Sequence, residues 1–180
     1  MKVFVASTEQ VEVNGETVYS IIDGMGAFKA KALKILAASG IIDPKPGQWY
    51  KQQAWLNAFK LIAEEIGSLT LYSIGQKIPN NAKFPPGIDN IHKALASIDV
   101  AYQMNHRNGF IGNYHYEKTG ENSAKITCTG PYPDIFDKGI ISSMTARFNP
   151  GNPANAKIYM DESLPVRMKG GDSTTFIIEW

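Results

Sequence analysis

The stretch FIGNYHYEKTGENSAKITCTGPYPDIFDKGIISSMTARF, residues 110–148, carries the pattern that decides the fold. Its first part alternates with a period of two. Gly112, Tyr114 and Tyr116 share one face of a strand over residues 110–117, and Ala124, Ile126 and Cys128 share one face of a second over 123–129. Thr119-Gly120 supplies the turn between them. Pro131-Tyr132-Pro133 then ends the hairpin, and Asp134 stands where a helix N-cap is expected. Phe136, Ile140, Met144 and Phe148 follow at steps of four, an amphipathic helix that Asn149-Pro150 stops.

The reading extends outward in both directions. Downstream, Ala156, Ile158 and Met160 alternate as a third strand, and Thr174, Phe176, Ile178 and Trp180 as a fourth, joined through a turn at Gly170-Gly171-Asp172. Upstream, Ile88, Ile91, Leu95, Ile98 and Tyr102 recur at spacings of three and four. That helix closes at Asn105, Arg107 and Gly109, with a cation where the C-terminal dipole favours one. The order α-β-β-α-β-β over residues 88–180 predicts an α+β fold with helices packed on a four-stranded antiparallel sheet.

In the first half, Val11, Val13, Val18 and Tyr19 flank Asn14-Gly15, a dipeptide suited to a two-residue hairpin turn, so residues 1–24 read as an N-terminal β-hairpin arm. Three helices follow: one carrying Phe28, Ala32 and Leu36, one over 46–66 carrying Trp55, Phe59, Ile62 and Ile66, and a shorter one carrying Leu71, Ile74 and Ile78. Pro79 to Gly87 reads as a loop that cannot continue the last of these. The chain thus divides into an arm (1–24), a helical part (25–108) and a sheet module (109–180) of one domain.

Composition excludes several classes of function. The 180 residues carry 18 basic against 17 acidic side chains, so no long-range field gathers nucleic acid or an anionic membrane. The opening MKVFVASTEQ turns polar too early for a signal-peptide core, and no apolar run is long enough to span a bilayer, which suggests a cytoplasmic protein. Cys128, the single cysteine, excludes internal disulfides and Cys-cluster zinc.

Four phrases, IGSLTLYSIGQKIP (66–79), ALASIDVAYQMNHRNG (94–109), TGPYPDIFDKGI (129–140) and GGDSTTFIIEW (170–180), together with the element order, resemble the 4-vinyl reductase family over residues 47–180. That family belongs to the same fold superfamily as haem nitric-oxide-binding domains and the small subunits of the TRAPP tethering complex. The resemblance implies a sensory or carrier domain that holds a small, largely apolar molecule between helices and sheet, often as a homodimer. Two departures limit it. Val166 and Thr174 stand where such relatives carry zinc-binding cysteines, so zinc is not expected. The Tyr-x-Ser-x-Arg motif that clasps haem propionates in the haem-binding relatives is absent, which disfavours haem of that type.

The residues offer no catalytic constellation. There is no Gly-x-Ser-x-Gly, and the glycines at 24, 26, 109 and 112 lack phosphate-loop spacing. His92, His106 and His115 form no metal-binding pair. His106 and Arg107 suit C-terminal capping, and His115 falls on the outer face of its strand. Aromatic residues are the better lead: Tyr102, Tyr114, Tyr116, Phe136 and Phe176 can converge on one cavity, with Asn105 and His106 beside it. The expectation is a non-catalytic domain that binds a small hydrophobic molecule through Tyr102, Asn105, His106, Tyr114, Tyr116 and Phe136. The alternatives are a protein-interaction scaffold and a haem or tetrapyrrole binder.

Overall fold

The computed structural model describes residues 1–149, 151 and 155–180. Its N-terminal part departs from the expected hairpin arm. Strand β1 (Glu12–Asn14) is followed directly by helix α1 (Gly15–Gly24), and Asn14 is the N-cap, its Oδ1 accepting a bond from Thr17 N at 3.0 Å. Asn-Gly serves a helix start as well as a tight turn. Burial decides between them: Val18, Ile21 and Ile22 recur at helical spacing and are sunk in the core. A Cβ on Gly15 would lie 1.9 Å from the Lys45 carbonyl oxygen, so the chain at 15 passes too close to its neighbour for any side chain.

A short 3-10 turn (Gly26–Phe28) leads into α2 (Lys29–Ala38). The helix expected from residue 46 begins later, because Trp49–Lys51 forms strand β2 before α3 (Gln52–Glu65). Next, α4 (Leu69–Asn81) runs through Pro79, which the sequence places in a loop. A proline in the last turn forfeits one backbone bond, and the Pro79 carbonyl is taken up by Arg147 Nη1 at 3.2 Å. Asn90 caps α5 (Ile91–Met104), and strand β3 (His106–Arg107) follows. β1 lies between β2 and β3 in a small antiparallel sheet.

The second sheet follows the alternation of the sequence. β4 (Tyr114–Gly120) pairs antiparallel with β5 (Ser123–Cys128), Tyr114 opposite Cys128 and Tyr116 opposite Ile126. After α6 (Asp134–Phe148) come β6 (Lys157–Met160) and β7 (Thr174–Glu179), giving an antiparallel order of β4-β5-β7-β6. Several details differ from expectation: β4 begins at Tyr114 and not at residue 110, and the turn falls at Glu121-Asn122, beyond Gly120. The β6–β7 connection is long and contains a 3-10 turn (Arg167–Lys169) before Gly170 at φ 91°. Asp134 is the first residue of α6 and not its cap; its carboxylate accepts from Arg167 Nη2 at 2.7 Å instead.

Helices cover the inner face of this sheet, where Ala124, Ile126, Cys128, Phe176 and Ile178 are fully buried. Here α4 and α6 cross at two glycines. A Cβ on Gly75 would sit 2.2 Å from the Phe136 carbonyl oxygen, and one on Gly139 would sit 2.3 Å from that of Tyr72. This near-contact of backbones seats Phe136 over the interior. Among the described residues no helix is long and apolar enough to cross a membrane.

Candidate functional site

The interior space left by this arrangement is a cavity of about 30 Å³ between α1, α3, α5, α6 and the start of β4. Tyr102 reaches it from α5, Tyr114 from β4, Phe136 from α6 and Trp55 from α3. Tyr132 enters from the segment between β5 and α6, held between two prolines that restrict the backbone around it. The rings meet edge to face: Tyr102 and Tyr114 centroids are 5.1 Å apart, and Phe59 and Tyr132 5.8 Å.

Most polar tips around the cavity satisfy one another. Tyr102 Oη donates to the Ile111 carbonyl at 2.5 Å. His106 Nδ1 donates to the Tyr102 carbonyl at 2.8 Å, and its Nε2 accepts from Tyr132 Oη at 2.6 Å. Tyr132 Oη accepts in turn from Gln52 Nε2 at 3.3 Å. Burial holds the His106 imidazole down at about 4, so it is neutral, while burial pushes the phenols of Tyr102, Tyr114 and Tyr132 up.

Two lining groups stand apart. Thr17 Oγ1 and Trp55 Nε1 are buried and make no hydrogen bond of good geometry among the described residues, although the indole N–H lies close enough to the Tyr132 hydroxyl to oppose the upward push of burial on it. An unpaired buried hydroxyl or indole N–H costs stability and is uncommon in folded proteins. Both belong to residues that border the same small space.

Behind Tyr114 lies a charged cluster. Tyr114 Oη donates to Asp137 Oδ1 at 2.5 Å, and Arg167 Nη2 bridges Asp137 and Asp134. Arg167 Nη1 donates to the Gly130 carbonyl at 2.7 Å. Burial raises the Asp137 carboxyl to about 6, against the opposing pull of Arg167. The guanidinium is fully enclosed and faces two carboxylates, so the buried cation is compensated on the spot.

The cavity has one half-exposed side. Among its lining residues Ala82 and Phe84 are half-buried while the others are buried, and both belong to the connection between α4 and α5. Asn105 ties that connection down: its Oδ1 accepts from Lys83 N at 3.0 Å, and its Nδ2 donates to the Lys83 carbonyl at 2.7 Å. Asn14 Nδ2 donates to the same Asn105 Oδ1 at 2.6 Å.

Of the residues singled out in the sequence, Tyr102, Asn105, His106, Tyr114 and Phe136 all line this cavity. Tyr116 does not: its hydroxyl donates to His92 Nδ1 at 2.6 Å, in a cluster that includes Trp180. Phe176 is buried in the sheet core away from the lining. Thr17, Trp55 and Tyr132 were not among the candidate site residues. A tyrosine between two prolines is a rigidly presented aromatic, and that signal was readable at Tyr132.

No family model matches the chain, and no curated protein matches it. Solved structures do. An iron(II), unliganded H-NOX protein mutant from K. algicida is similar at 16% identity, over 92% of this chain and 95% of that one, with a TM-score of 0.65. An H-NOX protein from S. oneidensis in an iron(II)–NO ligation state is similar at 11% identity, over 92% and 98%, with a TM-score of 0.64. A structure concerned with haem distortion in the H-NOX family is similar at 11% identity, over 93% and 95%, with a TM-score of 0.65. At these identities the likeness shows a shared fold. It also corrects the resemblance to the 4-vinyl reductase family, since the similar structures are H-NOX domains.

Proposed function

We propose, from a fold shared with H-NOX domains, that this chain is a non-catalytic sensor domain whose aromatic cavity takes a small neutral molecule with one polar group. The observation that carries this reading is a pair of weakly satisfied buried groups, Thr17 Oγ1 and Trp55 Nε1, on residues that line one interior cavity. Thr17 Oγ1 is free to bind a guest's polar atom without breaking any bond of the protein, and Trp55 Nε1 gives up only a loose approach to Tyr132 Oη. The guest is neutral because His106 is held uncharged and Asp137 is matched by Arg167, so nothing on the lining offers an uncompensated charge.

Phenol is the first probe, an aromatic ring with a single hydroxyl. A cavity of about 30 Å³ holds little more than one water, and benzene needs about 150 Å³. Phenol therefore fits only if the cavity grows several-fold, with Phe84 and its half-buried connection displaced outward to make the room as well as the entrance. Calorimetry with phenol should give one saturable site, and the Trp55 indole N–H resonance should move as its hydrogen bond forms. An unmoved Trp55 resonance at saturating phenol, or no saturation, would count against the reading.

A second reading, haem in the same interior, is favoured by the similar structures, one of which concerns haem distortion. The residues as arranged do not fit it. The macrocycle would need a far larger rearrangement of the lining than phenol does, and both ring nitrogens of His92 and of His106 are engaged. His115 is exposed on the sheet's outer face. Titration with hemin separates the readings: a stoichiometric Soret band that His92→Ala or His106→Ala abolishes would establish haem and displace the phenol-type guest.

A further inference from the structure

A second recess lies on the outside of the molecule, where α4, α6 and the β6–β7 connection meet, and it encloses about 350 Å³. Its floor is apolar: Leu71, Val166 and Phe176 are buried there. Phe4 forms one wall, in a left-handed conformation (φ 64°) fixed by its N–H to the Pro131 carbonyl at 2.8 Å and by Gln53 Nε2 on its own carbonyl at 3.0 Å. Met168 stands at the rim, 55% exposed, a flexible side chain able to fold over a guest.

The charge of the recess is one-sided. Lys138 and Lys169 border it, and neither is in an ion pair among the described residues. Asp134, the carboxylate on the lining, is occupied by Arg167 Nε at 3.1 Å, Arg167 Nη2 at 2.7 Å and Met168 N at 3.2 Å. Because Arg167 serves both Asp134 and Asp137, that cluster keeps a negative charge, and what remains is a greasy floor whose edge, with two ammonium groups, is positive by about one charge. The volume falls in the range of small-molecule sites, too large and too apolar for an inorganic anion alone.

We propose that this recess binds a free medium-chain fatty acid, its alkyl chain along Leu71, Val166 and Phe176 and its carboxylate between Lys138 and Lys169. This site is separate from the aromatic cavity and stands whether or not that cavity takes a ligand.

The test is a titration of protein carrying ¹³C-methyl methionine with sodium decanoate below its micelle concentration. Met160 and Met168 line the recess, whereas Met25 and Met144 are buried elsewhere and serve as internal controls. The Met160 and Met168 signals should move saturably with the controls fixed. Octanoate should bind roughly fifteenfold more weakly, as two fewer buried methylenes require. The double variant Lys138→Ala with Lys169→Ala should weaken decanoate about fivefold and leave decanol within about twofold. Three results would each overturn the proposal: no saturable shift at Met160 and Met168, equal movement of the control methionines, or a double variant that binds decanoate as well as the wild type.

Discussion

Replacing Thr17 by valine tests the cavity most sharply, because stability and binding should move in opposite directions. The side chain keeps its shape and β-branching, and helix propensity barely changes. What is lost is a buried Oγ1 with no hydrogen-bond partner among the described residues. Burying such a hydroxyl costs about 1–3 kcal/mol, so Thr17→Val should raise the unfolding free energy by about 1–2 kcal/mol. In a chain of this size that is about 2–8 °C in Tm. The same substitution removes one neutral hydrogen bond to the guest, worth about 0.5–1.5 kcal/mol, so phenol should bind roughly two- to tenfold more weakly. Denaturant unfolding and calorimetry on one preparation read both effects. Ser20→Ala is the control: Ser20 Oγ is equally buried and unpartnered but does not line the cavity, so it should stabilise without touching phenol affinity. A destabilised Thr17→Val protein would refute the reasoning, since it would mean that the hydroxyl is hydrogen-bonded without any guest.

Other expectations follow from the same geometry. Tyr132→Phe strips the donor from His106 Nε2 and the acceptor from Gln52 Nε2, and should cost about 1–3 kcal/mol in denaturant unfolding. Gly139→Ala drives a Cβ to within 2.3 Å of the Tyr72 carbonyl oxygen, and should cost about 3 kcal/mol or more as α4 and α6 are forced apart. The His106 imidazole protonates near 4 in the folded state, against 6.5 when unperturbed. Its contribution is therefore whole above pH 6.5 and is lost as pH falls through about 4, a difference of about 3 kcal/mol at about 1.4 kcal/mol per pH unit. Asp137, raised to about 6 by burial, works in the other direction: its contribution is whole below pH 3.8 and is lost as pH rises through about 6. An NMR titration of the His106 ring that finds it charged at pH 6 would remove the first of these effects.

The second sheet was legible because its code is local. Alternation along β5 and β7 gives the face each strand buries, and the structure pairs Ile126 with Phe176 on that face. The small sheet was not legible, since β1, β2 and β3 have three, three and two residues, too few to show a period, and come from distant parts of the chain. Asn14-Gly15 misled for a different reason: the dipeptide fits two local structures, and only the burial of Val18, Ile21 and Ile22 selects the helix. Tyr116 shares its strand face with Tyr114 but lies two residues farther along, a displacement of about 6–7 Å. That carries its hydroxyl past the cavity to His92. The missing hydrogen bonds at Thr17 and Trp55 have no signature in sequence at all, because the absence of a partner is a property of the assembled interior.

That absence also bears on selectivity. A guest that bonds Thr17 Oγ1 and Trp55 Nε1 gains bonds the free protein lacks and displaces only the loose approach of the indole to Tyr132. One that must insert at Tyr132 displaces the 2.6 Å bond to His106 and leaves a neutral imidazole nitrogen buried and bare. The longer Gln52–Tyr132 bond, at 3.3 Å, is the least costly of the ring to give up. Size acts on top of this. Any guest larger than a water must move Phe84, whose connection is held by the two bonds between Asn105 and Lys83. Asn105→Ala should then speed phenol entry and exit together, while changing the equilibrium affinity less than Thr17→Val does. If line-shape analysis of the Trp55 resonance found the exchange rate unchanged in Asn105→Ala, the path into the cavity would not run through the α4–α5 connection.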